Sequence, residues 1–559
     1  MLNLPPQASD AAIELARRMA LTRTAATVLT SRGLTDAAAT ARFLEPRLAH
    51  LTSPAAMQDR GEAVARIAGA VRAKELVCVF GDYDADGVTA AALLTDVIRS
   101  LGGKVTTVLA DRFEGGYGLS APALARVIAT GATLLVTCDC GSSDHERLDG
   151  ARRAGIDAVV IDHHRVPEEP LPALAFLNPH RPGCGFAYKG LASVGLALSV
   201  GAGVRADLGV TLDMRRWLDF VAIGTIGDVA PLDGDNRALV RAGLAMLGGG
   251  ARGARPGIVA LAEAAGCARS QPTGEDVAFR FAPRINAPGR LEKPDLALDL
   301  LLSTDEGQAR RIAAELETIC NRRKEVERAV TAEALVMLED PALARLPAIV
   351  VAQQGWHPGV VGIVAGRLAS RFGKPAIVIA LDGARGRGSA RGPAGFSVYD
   401  ALARSRAALI GFGGHHAAAG IEVASDRVGT LRDCFAEACA AIGVPNATGG
   451  IDADALLEDG DTPARVTFDL ERFEPCGQAN AAPKIAIARA RVLGTRVMRG
   501  GHLRVWLDVA GQPLSCFGAD MGDLGAGLGT HARVVGALRR DTWVGGGAVE
   551  MRLFAVEPA

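Results

Sequence analysis

No two cysteines of this chain are spaced Cys-x-x-Cys. The ten present are scattered over 559 residues, which excludes a disulfide framework or a structural zinc cluster and suits a cytoplasmic protein with reduced thiols. Also lacking is any apolar run long enough to span a bilayer, and residues 1–10 do not show the basic-then-apolar layout of a signal peptide. Neither sign of charge dominates: Lys and Arg number 61 against 62 Asp and Glu, a net charge of −1. Such a chain does not coat nucleic acid by bulk charge, although a local arginine-lined groove remains compatible with a nuclease. The basic residues are mostly Arg, the better fork for phosphate, yet a GC-rich genome produces the same bias. Repeats and low-complexity tracts are missing, apart from a general richness in Ala.

What is present is length enough for three or four domains, and an ordinary globular balance of 49% hydrophobic and 22% charged residues. Residues 10–20 and 36–44 carry helical periodicity. From 74 to 164 strands and helices alternate: strands at 76–80, 105–109, 133–137 and 158–161, helices at 88–101, 121–130 and 144–154. That alternation predicts a doubly wound parallel sheet, whose ligands bind beyond the carboxyl ends of the strands. Residues 187–225 read as apolar helix, and 305–340 as a long exposed helix suited to connecting domains. A second α/β unit starts at 348–352 and ends near 411–421. Beyond about 450, short strands at 486–497, 503–509, 514–517, 532–538 and 549–556 suit a small barrel. The expected division is 1–50 (helical), 51–240, 241–345 (helical connector), 346–445 and 446–559.

The strongest chemical signal is Phe80-Gly81-Asp82-Tyr83-Asp84-Ala85-Asp86-Gly87, three aspartates where a strand hands over to a helix. Like charges so close are costly unless a cation holds them. Two later strands end the same way, in Cys138-Asp139-Cys140-Gly141 and in Asp162-His163-His164. Each piece alone has a plainer explanation: a solvated acidic turn, a helix cap at Asp139, a histidine pair satisfied by backbone. Delivered together at successive strand ends, they describe one shared metal site. Cys138 and Cys140 flank Asp139, and strand alternation points both to one face; with no second pair to complete a zinc site, they are expected to be buried packing.

These segments, with Asp228 in Ile226-Gly227-Asp228, resemble motifs I to IV of the DHH phosphoesterase superfamily, and within it the RecJ family of single-strand-specific 5′-to-3′ exonucleases. Later segments extend the resemblance: Arg284-Ile285-Asn286-Ala287-Pro288-Gly289-Arg290, then Gly355-Trp356-His357-Pro358-Gly359 and Gly411-Phe412-Gly413-Gly414-His415, the two ends of a DHHA1 domain. It covers residues from about 45 to the C-terminus in consistent order. It implies an α/β protein with a DHH domain, a long connecting helix, a smaller α/β DHHA1 domain and an OB-like barrel.

The resemblance further implies a hydrolase of single-stranded DNA acting in recombination and repair, releasing mononucleotides from the 5′ end with two Mn²⁺ or Mg²⁺ ions. Two such ions supply a nucleophilic oxygen at neutral pH and relieve charge at the phosphate. Asp84, Asp86, Asp139, His163 and Asp228 are the implied ligands, with Asp139 as bridge. Asp82 and Asp162 orient them or ligate, and His164 faces the scissile phosphate. The implied DNA contacts are Arg112, Tyr117, Arg284, Asn286, Arg290, His357, Ser389, Arg391, Gly413, Gly414 and His415. For Arg385, Arg387 and Arg391 the plain alternative is an exposed basic loop. The barrel lacks an obvious aromatic row, which leaves Arg491, Arg496, Arg499 and Arg504 to contact phosphates. Expected partners are single-stranded DNA, a single-strand-binding protein and a helicase, with no membrane, the enzyme being a monomer.

Two departures from the family pattern stand out. Many relatives carry His where Phe80 stands, so one ion has one nitrogen donor fewer. The usual Gly-Ser-x-Arg-Ser is here Gly388-Ser389-Ala390-Arg391-Gly392, without its last hydroxyl. Two other readings fit the core motifs: a phosphodiesterase of short oligoribonucleotides or cyclic dinucleotides, and an inactive replication scaffold. The long helix and residues 450–559 weigh against the first, the retained acidic residues against the second.

Overall fold

Five parallel strands form the first sheet: β1 (Leu76–Gly81), β2 (Lys104–Leu109), β3 (Leu134–Cys138), β4 (Asp157–Ile161) and β5 (Ala175–Leu177), in the order β2-β1-β3-β4-β5. Both faces of β1 are buried: Val77 and Val79 join one apolar cluster, Cys78 and Phe80 another. That double burial explains the unbroken apolar runs, since an all-parallel sheet is covered on both sides. The chain leaves β1 for one side and returns to β3 on the other, so the crevice of the switch point opens between the ends of β1 and β3. The structure, a computed structural model, describes residues 2–247, 254–267, 272–445, 451–541 and 547–559; the first residue of the expected last domain, 446, lies outside them. No helix among the described residues is long and apolar enough to cross a membrane.

Residues of the helices Pro256–Ala264, Asp295–Leu302 and the first half of the connector Glu306–Met337, among them Ile258, Leu300 and Leu316, join the core of the first sheet. The far half of the connector packs Val330 and Ala334 against the second α/β unit. That unit has strands β6 (Ile349–Gln354), β7 (Ala376–Asp382), β8 (Arg385–Arg391), β9 (Gly411–Gly414) and β10 (Ala418–Ala424), ordered β9-β10-β8-β7-β6. The basic stretch 385–391 is therefore a strand rather than a loop, paired on both sides.

The C-terminal strands β11 (Ile485–Met498), β12 (His502–Val509), β13 (Gln512–Gly518), β14 (His531–Arg540) and β15 (Val549–Pro558) close into a five-stranded barrel. Their order is β11-β12-β13-β15-β14, and β14 pairs back onto β11. The helices Asp10–Met19, Arg23–Ser31 and Ala37–Leu44 contribute Leu15, Leu29 and Leu44 to the barrel's own core, beside Phe473 and Val505. Arg237 pins this assembly to the first domain, donating to the carbonyls of Phe43, Phe473 and Pro475.

Candidate metal centre and strand-binding cleft

The first strand end is shaped by close backbone approach. Asp84 caps the helix Ala85–Ser100, accepting from the Asp86 and Gly87 amides at 3.0 and 3.1 Å. A Cβ on Gly87 would stand 2.5 Å from the Asp82 carbonyl oxygen, so only glycine lets the turn close on itself. Asp86 is fully buried and accepts from the Ser193 and Val194 amides at 2.7 and 2.9 Å, the open N-terminus of the helix Ser193–Asp207. At the end of β3 the chain turns through Asp139 with φ 64°, a left-handed conformation that Asp tolerates better than most residues. This turn sends Cys138 and Cys140 into clusters on opposite faces of the sheet, not onto one face as strand alternation predicts. Both thiols are buried. Asp228 ends the helix Leu218–Gly227, and Val229 after it also has a positive φ, 62°.

These elements converge on His163. Its Nε2 lies 3.3 Å from Asp139, 3.6 Å from Asp228 and 3.9 Å from Asp86, and is buried without a hydrogen bond among the described residues. A second grouping joins Asp82, Asp84 and Asp139, their oxygens within 4.8 Å of one another. Burial raises the carboxyls of Asp82, Asp86, Asp139 and Asp228, and the neighbouring carboxylates raise them further. Burial and the adjacent His164 push His163 down to about 4, leaving a neutral imidazole. Crowded hard oxygens, together with a neutral imidazole whose Nε2 has no hydrogen-bond partner among the described residues, fit divalent Mn²⁺ or Mg²⁺.

Asp162 differs. Its carboxylate accepts from the amides of Ser142, His163 and His164 and from His164 Nδ1 at 2.7 Å. These contacts outweigh burial and hold it well below the usual carboxylate range. In return, though burial opposes it, Asp162 raises His164 to about 9, so that ring is a cation at neutral pH. Tyr117 donates its hydroxyl to the Asp139 carbonyl at 3.0 Å and sits 3.0 Å from His164 Nδ1. His415, on the turn after β9, stacks on His164 with ring centres 5.8 Å apart, so the second domain reaches the metal centre.

Beside it, a cavity of about 440 Å³ opens between the two domains, lined among others by Tyr83, Arg112, Phe113, Ser389 and Gly413. Arg112 lies over the Tyr83 ring. Arg290 donates to the Gly359 carbonyl and Arg391 to that of Ala390. Ser389 and Arg391 both border Gly362. Burial and neighbouring arginines lower the proton affinity of Arg290, to about 10, and of Arg391. His357 meets Phe113 edge to face. The side-chain Oδ1 of Asn286 is buried without a partner among the described residues, while Gly414 has φ 146°, where a Cβ would stand 2.4 Å from the Ala418 carbonyl oxygen.

Arg284 stands apart. It is buried, and its guanidinium is taken by Glu317 at 2.5 Å and by the carbonyls of Arg280 and Ala264. In the barrel, Arg491 and Arg504 turn onto Asp508 and Ser515. Phe80 is fully buried in the apolar cluster under the sheet. Sequence reasoning missed Ser193, whose hydroxyl donates to the Asp139 carboxylate at 3.2 Å while its amide holds Asp86. The signal open to it was a serine at the start of an apolar helix.

A buried carboxylate and imidazole cluster at parallel strand ends, faced by an arginine-lined second domain, defines a phosphoesterase that works with divalent metals. Residues 76–225 match the DHH family N-terminal domain, 346–441 the DHHA1 domain and 453–554 the RecJ OB domain. The single-stranded-DNA-specific exonuclease RecJ of Bacillus subtilis is 32% identical over 96% of this chain and 68% of its own. Its namesake in Dickeya dadantii is 37% identical over 78% and 79%. The crystal structure of RecJ from Thermus thermophilus with Mn²⁺ superposes with a TM-score of 0.84, at 29% identity, covering 100% of this chain and 79% of that one. The chain belongs to the RecJ family.

Proposed function

We propose that this chain is a metal-dependent exonuclease that degrades single-stranded DNA from its 5′ end to mononucleotides, in recombination and repair. One observation carries the reading: a nitrogen of His163, with no hydrogen-bond partner among the described residues, faces the buried carboxylates of Asp86 and Asp139 and the partly exposed one of Asp228, from three separate elements. Asp84, Asp86, Asp139, His163 and Asp228 would hold two divalent ions, Mn²⁺ or Mg²⁺. When bound, such ions supply the nucleophile and neutralise phosphate charge.

The chain's own residues do the rest. Asp162 fixes the His164 ring, and the protonated imidazole lies where it donates to a phosphate oxygen or to the leaving 3′ oxygen. Asp82 orients the turn that carries Asp84, and Tyr117 holds the Asp139 carbonyl. Arg112, Arg290, Arg391 and Ser389 take the terminal 5′ phosphate as a bidentate fork, which makes the 5′ end the starting point. The ion pair of Arg284 with Glu317 leaves Arg290 as their partner from the Arg284–Arg290 segment. Asn286, His357, Gly413, Gly414 and His415 border the strand's path. The enzyme works as a cytoplasmic monomer, alongside a single-strand-binding protein and a helicase.

Rates on 5′-phosphate and 5′-hydroxyl strands of the same sequence test the fork. The phosphorylated strand is cut faster, and Arg391→Ala narrows the difference by about tenfold to a hundredfold, the worth of one charge-assisted hydrogen bond. Equal slowing on both strands would place Arg391 on the general DNA path instead.

A further inference from the structure

Among the described residues, Arg112, Arg290 and Arg391 form no ion pair with any carboxylate; Arg112 lines the interdomain cleft, and Arg290 and Arg391 meet Gly359 and Gly362, chain neighbours of its lining residues Pro358 and Val361. A fourth arginine stands beside them. Arg323 lies on the connector helix Glu306–Met337, which packs against both the helix Pro288–Leu291, bearing Arg290, and the helix Val361–Phe372. The first turn of the latter faces Arg391 and Ser389 at Gly362. After burial and Arg112, the charge of Arg323 is the next cause lowering the proton affinity of Arg290.

The local geometry of Arg323 is specific. Its side chain is 12% exposed, and its Nε is buried with no hydrogen-bond partner among the described residues. One of its amino groups meets Glu327 at 3.3 Å, one helical turn on. Glu327 is itself only 2% exposed and is shared with Arg367 from the neighbouring helix. A buried carboxylate divided between two arginines fixes Arg323 without using up its donors. A buried donor left idle is costly, and a phosphate monoester, with up to two charges, is the group that clustered guanidinium forks satisfy.

We infer that Arg323 is a fourth arginine of the pocket that takes the strand's terminal phosphate, and that Glu327 is the positioning residue that holds it there. This rests on the proposed role of Arg112, Arg290, Arg391 and Ser389. The connector helix thereby reads whether a 5′ end is seated, in addition to linking the domains.

The test is the ratio of KM for 5′-hydroxyl over 5′-phosphate strands, measured for the intact protein and for Arg323→Gln, Arg323→Lys, Glu327→Gln and Arg391→Ala. Arg323→Gln is expected to shrink the ratio by about tenfold, the effect of one lost charge-assisted contact. Arg323→Lys, which keeps a cation beside Glu327 and so protects folding, should shrink it less. Glu327→Gln should shrink it while calorimetric Mn²⁺ binding stays as in the parent. A second readout is free of turnover: in the Asp139→Ala background, Arg323→Gln should weaken binding of deoxyadenosine 5′-monophosphate but not of deoxyadenosine. An unchanged ratio in Arg323→Gln, with a narrowed one in Arg391→Ala, would overturn the inference and leave the pocket standing. No narrowing in Arg391→Ala would remove the terminal-phosphate pocket itself.

Discussion

Replacing Asp228 by asparagine should stabilise the protein in chelator and destabilise it relative to the parent in manganese. The ligand atoms of Asp86, His163 and Asp228 lie within 4.8 Å of one another. Two full negative charges at that separation repel by about 3 kcal/mol at an effective dielectric near 20. Upward-shifted carboxyls are partly protonated, and the His164 cation offsets part of the repulsion. A net gain of about 1–2 kcal/mol is therefore expected for the metal-free variant at pH 8. Manganese reverses the order. An ion at a hundred times its dissociation constant stabilises by about 2.7 kcal/mol, and a variant binding a hundredfold more weakly gains only about 0.4 kcal/mol. Thermal unfolding of both proteins in EDTA, then with excess Mn²⁺, reads both signs. A variant that melts below the parent in EDTA, or that gains as much from manganese, would refute the charge-crowding argument.

Other sites yield sharper, smaller tests. Ser193→Ala removes a hydroxyl donor from Asp139 but leaves both amides on Asp86; Mn²⁺ affinity by calorimetry should fall by about tenfold, the low end for loss of a ligand-orienting partner. Phe80→His puts a polar ring into an apolar cluster; it should cost about 1–3 kcal/mol in urea unfolding and leave the Mn²⁺ titration unchanged. A lower metal requirement would instead put position 80 at the metal. Asp219 is buried near Arg255, and burial raises it to about 6 despite that cation. A raised folded pKa contributes stability that is full below the unfolded value near 4 and is lost as pH climbs through 6. Asp219→Asn should remove about 2–3 kcal/mol of that pH dependence between pH 4 and 7.5, and parallel stability profiles for variant and parent would contradict it.

The parallel sheet was legible because both its faces are buried, so each strand is a bare apolar run, and because its functional ends break into charge. The barrel was legible from strand spacing. Strand β8 was not: its inward positions are Gly386, Gly388 and Ala390, which pack against neighbours such as Ile379 without showing hydrophobic alternation. The union of residues 10–44 with the barrel core spans more than 400 residues of sequence, and local periodicity carries no such information. At the site, the ligand candidates were legible from the clustering of like charges. Arg284 and Arg290 share one motif, and only the tertiary partners separate them: Arg284 is locked on Glu317, while Arg290 meets the Gly359 carbonyl and, among the described residues, no carboxylate. The opposite faces of Cys138 and Cys140 depend on a left-handed Asp139, which strand alternation does not anticipate. Ser193 and Arg323 went unread because their chemistry depends on partners distant in sequence.

Digestion of one single strand, labelled in separate samples at its 5′ and 3′ ends, tests the central claim most directly. With Mn²⁺ present, the 5′ label should appear first, as mononucleotide, while the 3′-labelled strand shortens progressively. Chelation or Asp139→Ala should abolish both. Early release of the 3′ label, or digestion that survives chelation, would contradict a metal-dependent exonuclease that starts at the 5′ end.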